Sequence, residues 1–114
     1  MTDVRARAEG SVVALALSGH ATGRPDVCAA VSALCCGLAG YLRNAEARGR
    51  TKMLSCSVRP GAVRIRAEVD RAGRGAWETA VLSLLQLQAA APEAISAEEN
   101  QNSLRFGGEN TENQ

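Results

Sequence analysis

From Val63 to Asp70, apolar and charged residues alternate without a break. Val63, Ile65, Ala67 and Val69 stand against Arg64, Arg66, Glu68 and Asp70. Successive side chains of a β-strand point to opposite faces, so only a strand buries one set and wets the other. Val4, Ala6 and Ala8 alternate in the same way with Asp3, Arg5, Arg7 and Glu9. Glu9-Gly10-Ser11 is a turn signal, and the apolar run Val12 to Leu17 reads as the returning strand of a hairpin. Lys52 to Arg59, with Leu54, Cys56 and Val58 on one side, reads as the partner of the Val63 strand across Pro60-Gly61.

Between the hairpins the period becomes helical. Val27, Val31, Leu34, Leu38 and Leu42 fall on one face, the helix fades from Arg43, and Gly49 fits its C-cap. Asp70 to Gly75 reads as a loop. Trp77, Ala80, Val81, Leu84 and Gln88, flanked by Leu85, mark a second amphipathic helix, which Pro92 ends. Trp77 sits on that apolar stripe and reads as core. Glu93-Ala94-Ile95-Ser96 leaves room for a short final strand. The order ββαββα predicts an α+β fold, in which two β-hairpins form an antiparallel or mixed sheet packed with two helices. Residues 1–96 form the predicted domain. Residues 97–114, rich in Glu, Asn and Gln, read as a disordered tail with Leu104 and Phe106 as a sticky spot.

A chain of 114 residues holds one modest core, and with 3% aromatics that core must be aliphatic and alanine-rich. Net charge is +1, and all basic residues except Lys52 are arginines scattered along the chain. They read as solvated faces, with no direct nucleic-acid or membrane binding expected. The start of the chain, Met1-Thr2-Asp3-Val4-Arg5, is polar, and no apolar run approaches the roughly 20 residues that span a bilayer. A cytoplasmic protein is expected, with Cys28, Cys35, Cys36 and Cys56 as reduced thiols. Cys35 and Cys36, deeper in the first helix, read as core or near-core.

Chemistry concentrates in residues 18–32. His20, the only histidine, stands where the second strand ends, and Cys28 stands where the first helix begins. Gly19, Gly23 and Pro25 make the segment between them a loop. A free thiol has a pKa of about 8.5, and a helix's first amides, or a protonated imidazole, favour its thiolate. A thiol and an imidazole so placed can act as nucleophile and base. Asp26 can cap the helix or orient the histidine, and Ser32 lies one turn beyond Cys28.

Gly19-His20-Ala21, then Gly23, then Asp26-Val27-Cys28-Ala29-Ala30-Val31-Ser32 resemble the ribosomal-processing cysteine proteases, the Prp family. That family reads Gly-His-Ala, a short loop, then Gly-x-Asp-Ile-Val-Cys-Ala-Ala-x-Ser. The resemblance runs over about residues 1 to 96. Two departures accompany it: a shorter loop between His20 and Cys28, and Pro25 at the family's aspartate position, with Asp26 one place later. The resemblance implies a cysteine endopeptidase with Cys28 as nucleophile and His20 as general base. Asp26, Ser32 and Gly19 are candidate supporting residues, and Ala21, Thr22, Gly23, Arg24 and Pro25 form the loop that admits substrate. It further implies a homodimer that removes the short N-terminal extension of bacterial large-subunit ribosomal protein twenty-seven. Backbone N–H groups at the start of the Cys28 helix are the expected oxyanion donors.

No cofactor or metal is implied. Cys35-Cys36 is a vicinal pair and Cys56 lies on a strand, unlike zinc-ligand spacing. Gly73-Arg74-Gly75 is too short for a phosphate-binding loop, and no serine sits in a nucleophile turn. Two other readings stand beside the protease. One is an inactive ribosome-associated binding module of the same fold, favoured by the short loop and displaced aspartate. The other is a redox sensor pairing Cys28 with Cys35 or Cys36. Positions seven and eight residues down a helix are about 10–12 Å apart, too far for a disulfide without unfolding.

Overall fold

The computed structural model describes residues 1–101. The elements run β1 (Thr2–Glu9), β2 (Val12–Ser18), α1 (Pro25–Ala47), β3 (Thr51–Arg59), β4 (Ala62–Val69), α2 (Arg71–Ala90) and β5 (Ile95–Gln101). The five strands form one mixed sheet in the order β3-β4-β2-β1-β5. Both expected hairpins are present and antiparallel, and β2 joins them by pairing with β4.

Period-2 alternation decides which side of the sheet is buried. Val4 pairs with Leu17 and Leu17 with Val63, all buried. Ala6, Leu15 and Ile65 make the next buried row. Both helices cover this one face. α1 buries Val27, Val31, Leu38 and Leu42, while Leu34 is half-buried against the core. Burying a leucine or valine side chain contributes about 1.5–3 kcal/mol, so this stripe fixes the helix to the sheet. Trp77 of α2 is fully buried, and its indole N–H donates to the Ala14 carbonyl at 3.0 Å. α1 ends in a Schellman motif: Gly49, at φ 75°, donates to Glu46, and Arg50 donates to Ala45.

Four expectations are corrected. The last strand is longer than Glu93 to Ser96. β5 runs parallel to β1 from Ile95 to Gln101, so Ala97 to Gln101 belong to the sheet rather than to a disordered tail. The polar residues order there because the free edge of β1 supplies backbone partners. Leu104 and Phe106 lie outside the described residues. Residues 71–75 are helix, not loop: Asp70 caps α2 by accepting from the Gly73 N–H at 2.9 Å, which outweighs two glycines. In β3 a register shift between Met53 and Ser55 breaks the alternation, leaving Leu54 exposed while Cys56 and Val58 are half-buried. Finally, α1 at 23 residues is long and apolar enough to cross a membrane, counter to the sequence reading, although its apolar stripe here packs on the sheet.

Candidate active site

β2 carries the chain to His20 through a turn that only glycine accommodates well. Gly19 has φ 89°, and a Cβ there would run into the Met1 carbonyl. The Gly19 N–H donates to the Gly61 carbonyl at 3.0 Å, tying the end of β2 to the β3–β4 turn. Gly61 has φ 72°, and a Cβ on it would lie 2.7 Å from the His20 Cε1 and closer still to Nε2. The imidazole therefore occupies space that any side chain at position 61 would claim.

α1 supplies the thiol. Its first residue is Pro25, which has no N–H and favours a helix start. Cys28 stands one turn in. Its N–H, like that of Val27, donates to the Arg24 carbonyl at 3.1 Å. Two helix-start amides expected to serve an oxyanion thus have a backbone partner in the resting structure. The thiol donates to the Ala21 carbonyl at 3.7 Å, and that carbonyl also accepts from the Arg24 N–H. Ala21 is buried and anchors the loop through both contacts.

His20 and Cys28 line one cleft of about 310 Å³, with Gly19, Ser32, Cys36 and Pro60 on its rim and Leu17, Val31, Val58 and Val63 among its walls. The structure thus brings together four sequence candidates: His20, Cys28, Gly19 and Ser32. Asp26 goes elsewhere. It forms a two-pronged ion pair with Arg24, both contacts at 3.1 Å, and Arg24 also reaches Glu93 beyond α2. The Arg24 guanidinium, with the Val27 amide, holds the Asp26 carboxyl below the usual carboxylate range. Asp26 is the second residue of α1, and the helix has no side-chain cap. Thr22 and Gly23 are exposed, and none of Ala21 to Pro25 lines the cleft.

Sequence reasoning missed Gly61, Val58 and Cys36 as cleft residues. Pro60-Gly61 announced a turn, but its place beneath His20 depends on β2 pairing with β4, which the sequence did not specify. Cys36 is exposed on the rim rather than core, because α1 turns that side away from the sheet. Cys35 is buried, and burial together with Cys36 pushes its thiol up to about 11. No metal-ligating group of three or more His, Cys, Asp or Glu occurs among the described residues.

No family model and no curated protein matches this sequence. Solved structures do. The crystal structure of SMU.848 from Streptococcus mutans has a TM-score of 0.66 at 21% identity, covering 90% of this chain and 96% of that one. Two structures of an essential ribosomal processing protease Prp from S. aureus each have a TM-score of 0.65 and cover 87% of this chain and 99% of theirs. One holds a covalently linked product peptide, at 21% identity, and the other a substrate peptide, at 16%. Across most of its length, the chain has the fold of the ribosomal processing protease Prp.

Proposed function

We propose that the protein is a cysteine endopeptidase of the ribosomal-processing type. One observation carries this reading: the only imidazole, from the loop after β2, and a half-buried thiol, from α1, line one apolar-walled cleft on the Prp fold. Cys28 attacks the scissile carbonyl, and its sulfur–carbon bond forms as the carbonyl π-bond opens. His20 takes the thiol proton and passes it to the leaving amine. Water then releases the acid product and restores the thiol. The wall of Leu17, Val31, Val58 and Val63 suits an apolar substrate side chain. The substrate is a ribosomal protein bearing an N-terminal extension, namely large-subunit protein twenty-seven. The protein acts in the cytoplasm as a homodimer, with no cofactor.

A second reading, a binding module with a silent dyad, is favoured by the resting thiol contact with Ala21 and the partnered helix-start amides. The experiment separating them incubates the full chain with a peptide spanning the extended N-terminus of that ribosomal protein and weighs the products. A single cut that Cys28→Ala and His20→Ala both abolish, while remaining folded, establishes the protease. No cut of the cognate peptide by a folded protein, with binding retained in both variants, establishes the module.

A further inference from the structure

The helices leave the other face of the sheet open. Arg5 and Arg7 of β1 and Arg64 and Arg66 of β4 share it, and all four are exposed. The register sets them in two rows. Arg5, Ala16 and Arg64 lie side by side across three strands, and Arg7, Ala14 and Arg66 form the next row. By strand geometry the rows are roughly 7 Å apart and the arginines within a row roughly 10 Å apart. Ala14 and Ala16 place nothing larger than a methyl group between them.

None of the four arginines is in an ion pair among the described residues, whereas Arg24 and Arg74 are paired with Asp26, Glu93 and Glu78. Acidic residues bracket the rectangle without entering it. Asp3, Glu9 and Glu68 stand at strand ends, Glu98 lies beside Arg5 on β5, and Lys52 faces Glu68 from β3. The centre of the face is therefore a cationic platform. Both β1 and β4 are paired on both sides, so the backbone beneath the arginines is rigid.

We infer that this face docks on the phosphate backbone of single-stranded RNA. A guanidinium matches two phosphate oxygens at once. Single exposed pairs with carboxylates are worth about 0–1 kcal/mol, so an acidic peptide gains little here, whereas a phosphate strand gains counterion release at every contact. The flat platform reaches no base edge, so it selects a backbone and not a sequence. It departs from the expectation, read from scattered arginines and a net charge of +1, of no direct nucleic-acid binding. The choice of RNA among polyanions rests on the ribosomal reading above; the cationic platform does not.

The test is anisotropy of a labelled mixed-sequence oligoribonucleotide titrated with the full chain over a salt series. Log affinity is expected to fall linearly with log salt, with a slope of about −3 for four single-strand phosphates. The Arg5→Gln/Arg64→Gln variant, which removes one row, should halve that slope and weaken binding at least tenfold at low salt. Arg43→Gln/Arg48→Gln, at two exposed arginines late in α1 and at its C-cap, should change neither, with melting curves confirming that both variants fold. Cys28→Ala should keep full RNA binding and lose cleavage, so each reading fails separately. The inference is overturned by no binding at low salt, by equal losses in the two arginine variants, or by poly-glutamate competing as well as RNA at matched charge. A dimer that only Arg5→Gln/Arg64→Gln dissociates would also overturn it, by assigning the face to a second copy.

Discussion

The Nε2 edge of His20 faces Gly61 so closely that a single Cβ at position 61 would overlap the ring. Gly61 comes from the second hairpin and His20 from the end of the first. The sheet pairing Ser18↔Ala62 and the Gly19-to-Gly61 hydrogen bond hold them together. The position of the imidazole is thus set by the sheet, while that of Cys28 is set by α1.

Gly61→Ala should move the imidazole. Gly10→Ala is its control, since Gly10 also has a positive φ (61°) but an open space where its Cβ would stand. Each substitution should cost on the order of 1 kcal/mol in backbone strain. Only Gly61→Ala should shift the ring proton resonances of His20, which are unambiguous because the chain has one histidine. Only Gly61→Ala should lower peptide cleavage, by roughly 100-fold if the ring is displaced by about 1 Å. Equal effects of the two variants on the histidine signals would remove Gly61 from the site.

Arg24 ties the loop to both α1 and the α2–β5 turn through Asp26 and Glu93. Arg24→Gln should return the Asp26 carboxyl toward the ordinary carboxylate range, read by a side-chain NMR titration. The sign follows from the lowered value. In the native chain the pair contributes above the ordinary range and the contribution is lost as pH falls through the lowered one. Arg24→Gln should flatten that acid limb of stability. Both side chains are exposed, so the effect is small and weakens with salt.

Cys35 and Cys36, adjacent in sequence, should differ in reactivity because one is buried and the other exposed. With iodoacetamide near neutral pH, peptide mapping should find Cys36 alkylated well before Cys35. Cys35 is buried and its thiol stands at about 11. The same raised value makes stability fall as pH rises from 9.0 toward 11, since the unfolded chain loses that proton first. Cys35→Ala should blunt this alkaline loss. Early alkylation of Cys35 in the folded chain would contradict its burial.

Trp77→Ala should destabilise the domain by about 3–5 kcal/mol, measured by urea unfolding followed by circular dichroism. It empties the largest fully buried side-chain position and removes the bond to the Ala14 carbonyl. Trp77→Phe should cost less, because most of the apolar volume remains and the lost bond is worth about 1 kcal/mol.

Local period alone identified both hairpins, the body of both helices and most of their buried positions. Val63 to Val69 can hide its apolar set only as a strand, and Val27 to Leu42 only as a helix, so local period and burial agree. The sequence also marked His20 and Cys28, at a strand end and a helix start on either side of a glycine-bounded loop, and both line one cleft. Tertiary structure decided the rest. β5 became a strand because β1 had an unpaired edge, and no periodicity in Ile95 to Gln101 announces a partner so distant in sequence. Asp26 pairs with Arg24 two positions before it, and Arg24 is held in turn by Glu93 from the far end of the domain's sequence. Gly61 came beneath His20, and Arg5 and Arg7 came level with Arg64 and Arg66, only because β2 pairs with β4. That pairing joins residues some fifty positions apart, and it is fixed by the shared burial of Leu17 with Val63 and Leu15 with Ile65, a match of surfaces that exists only once the sheet has formed.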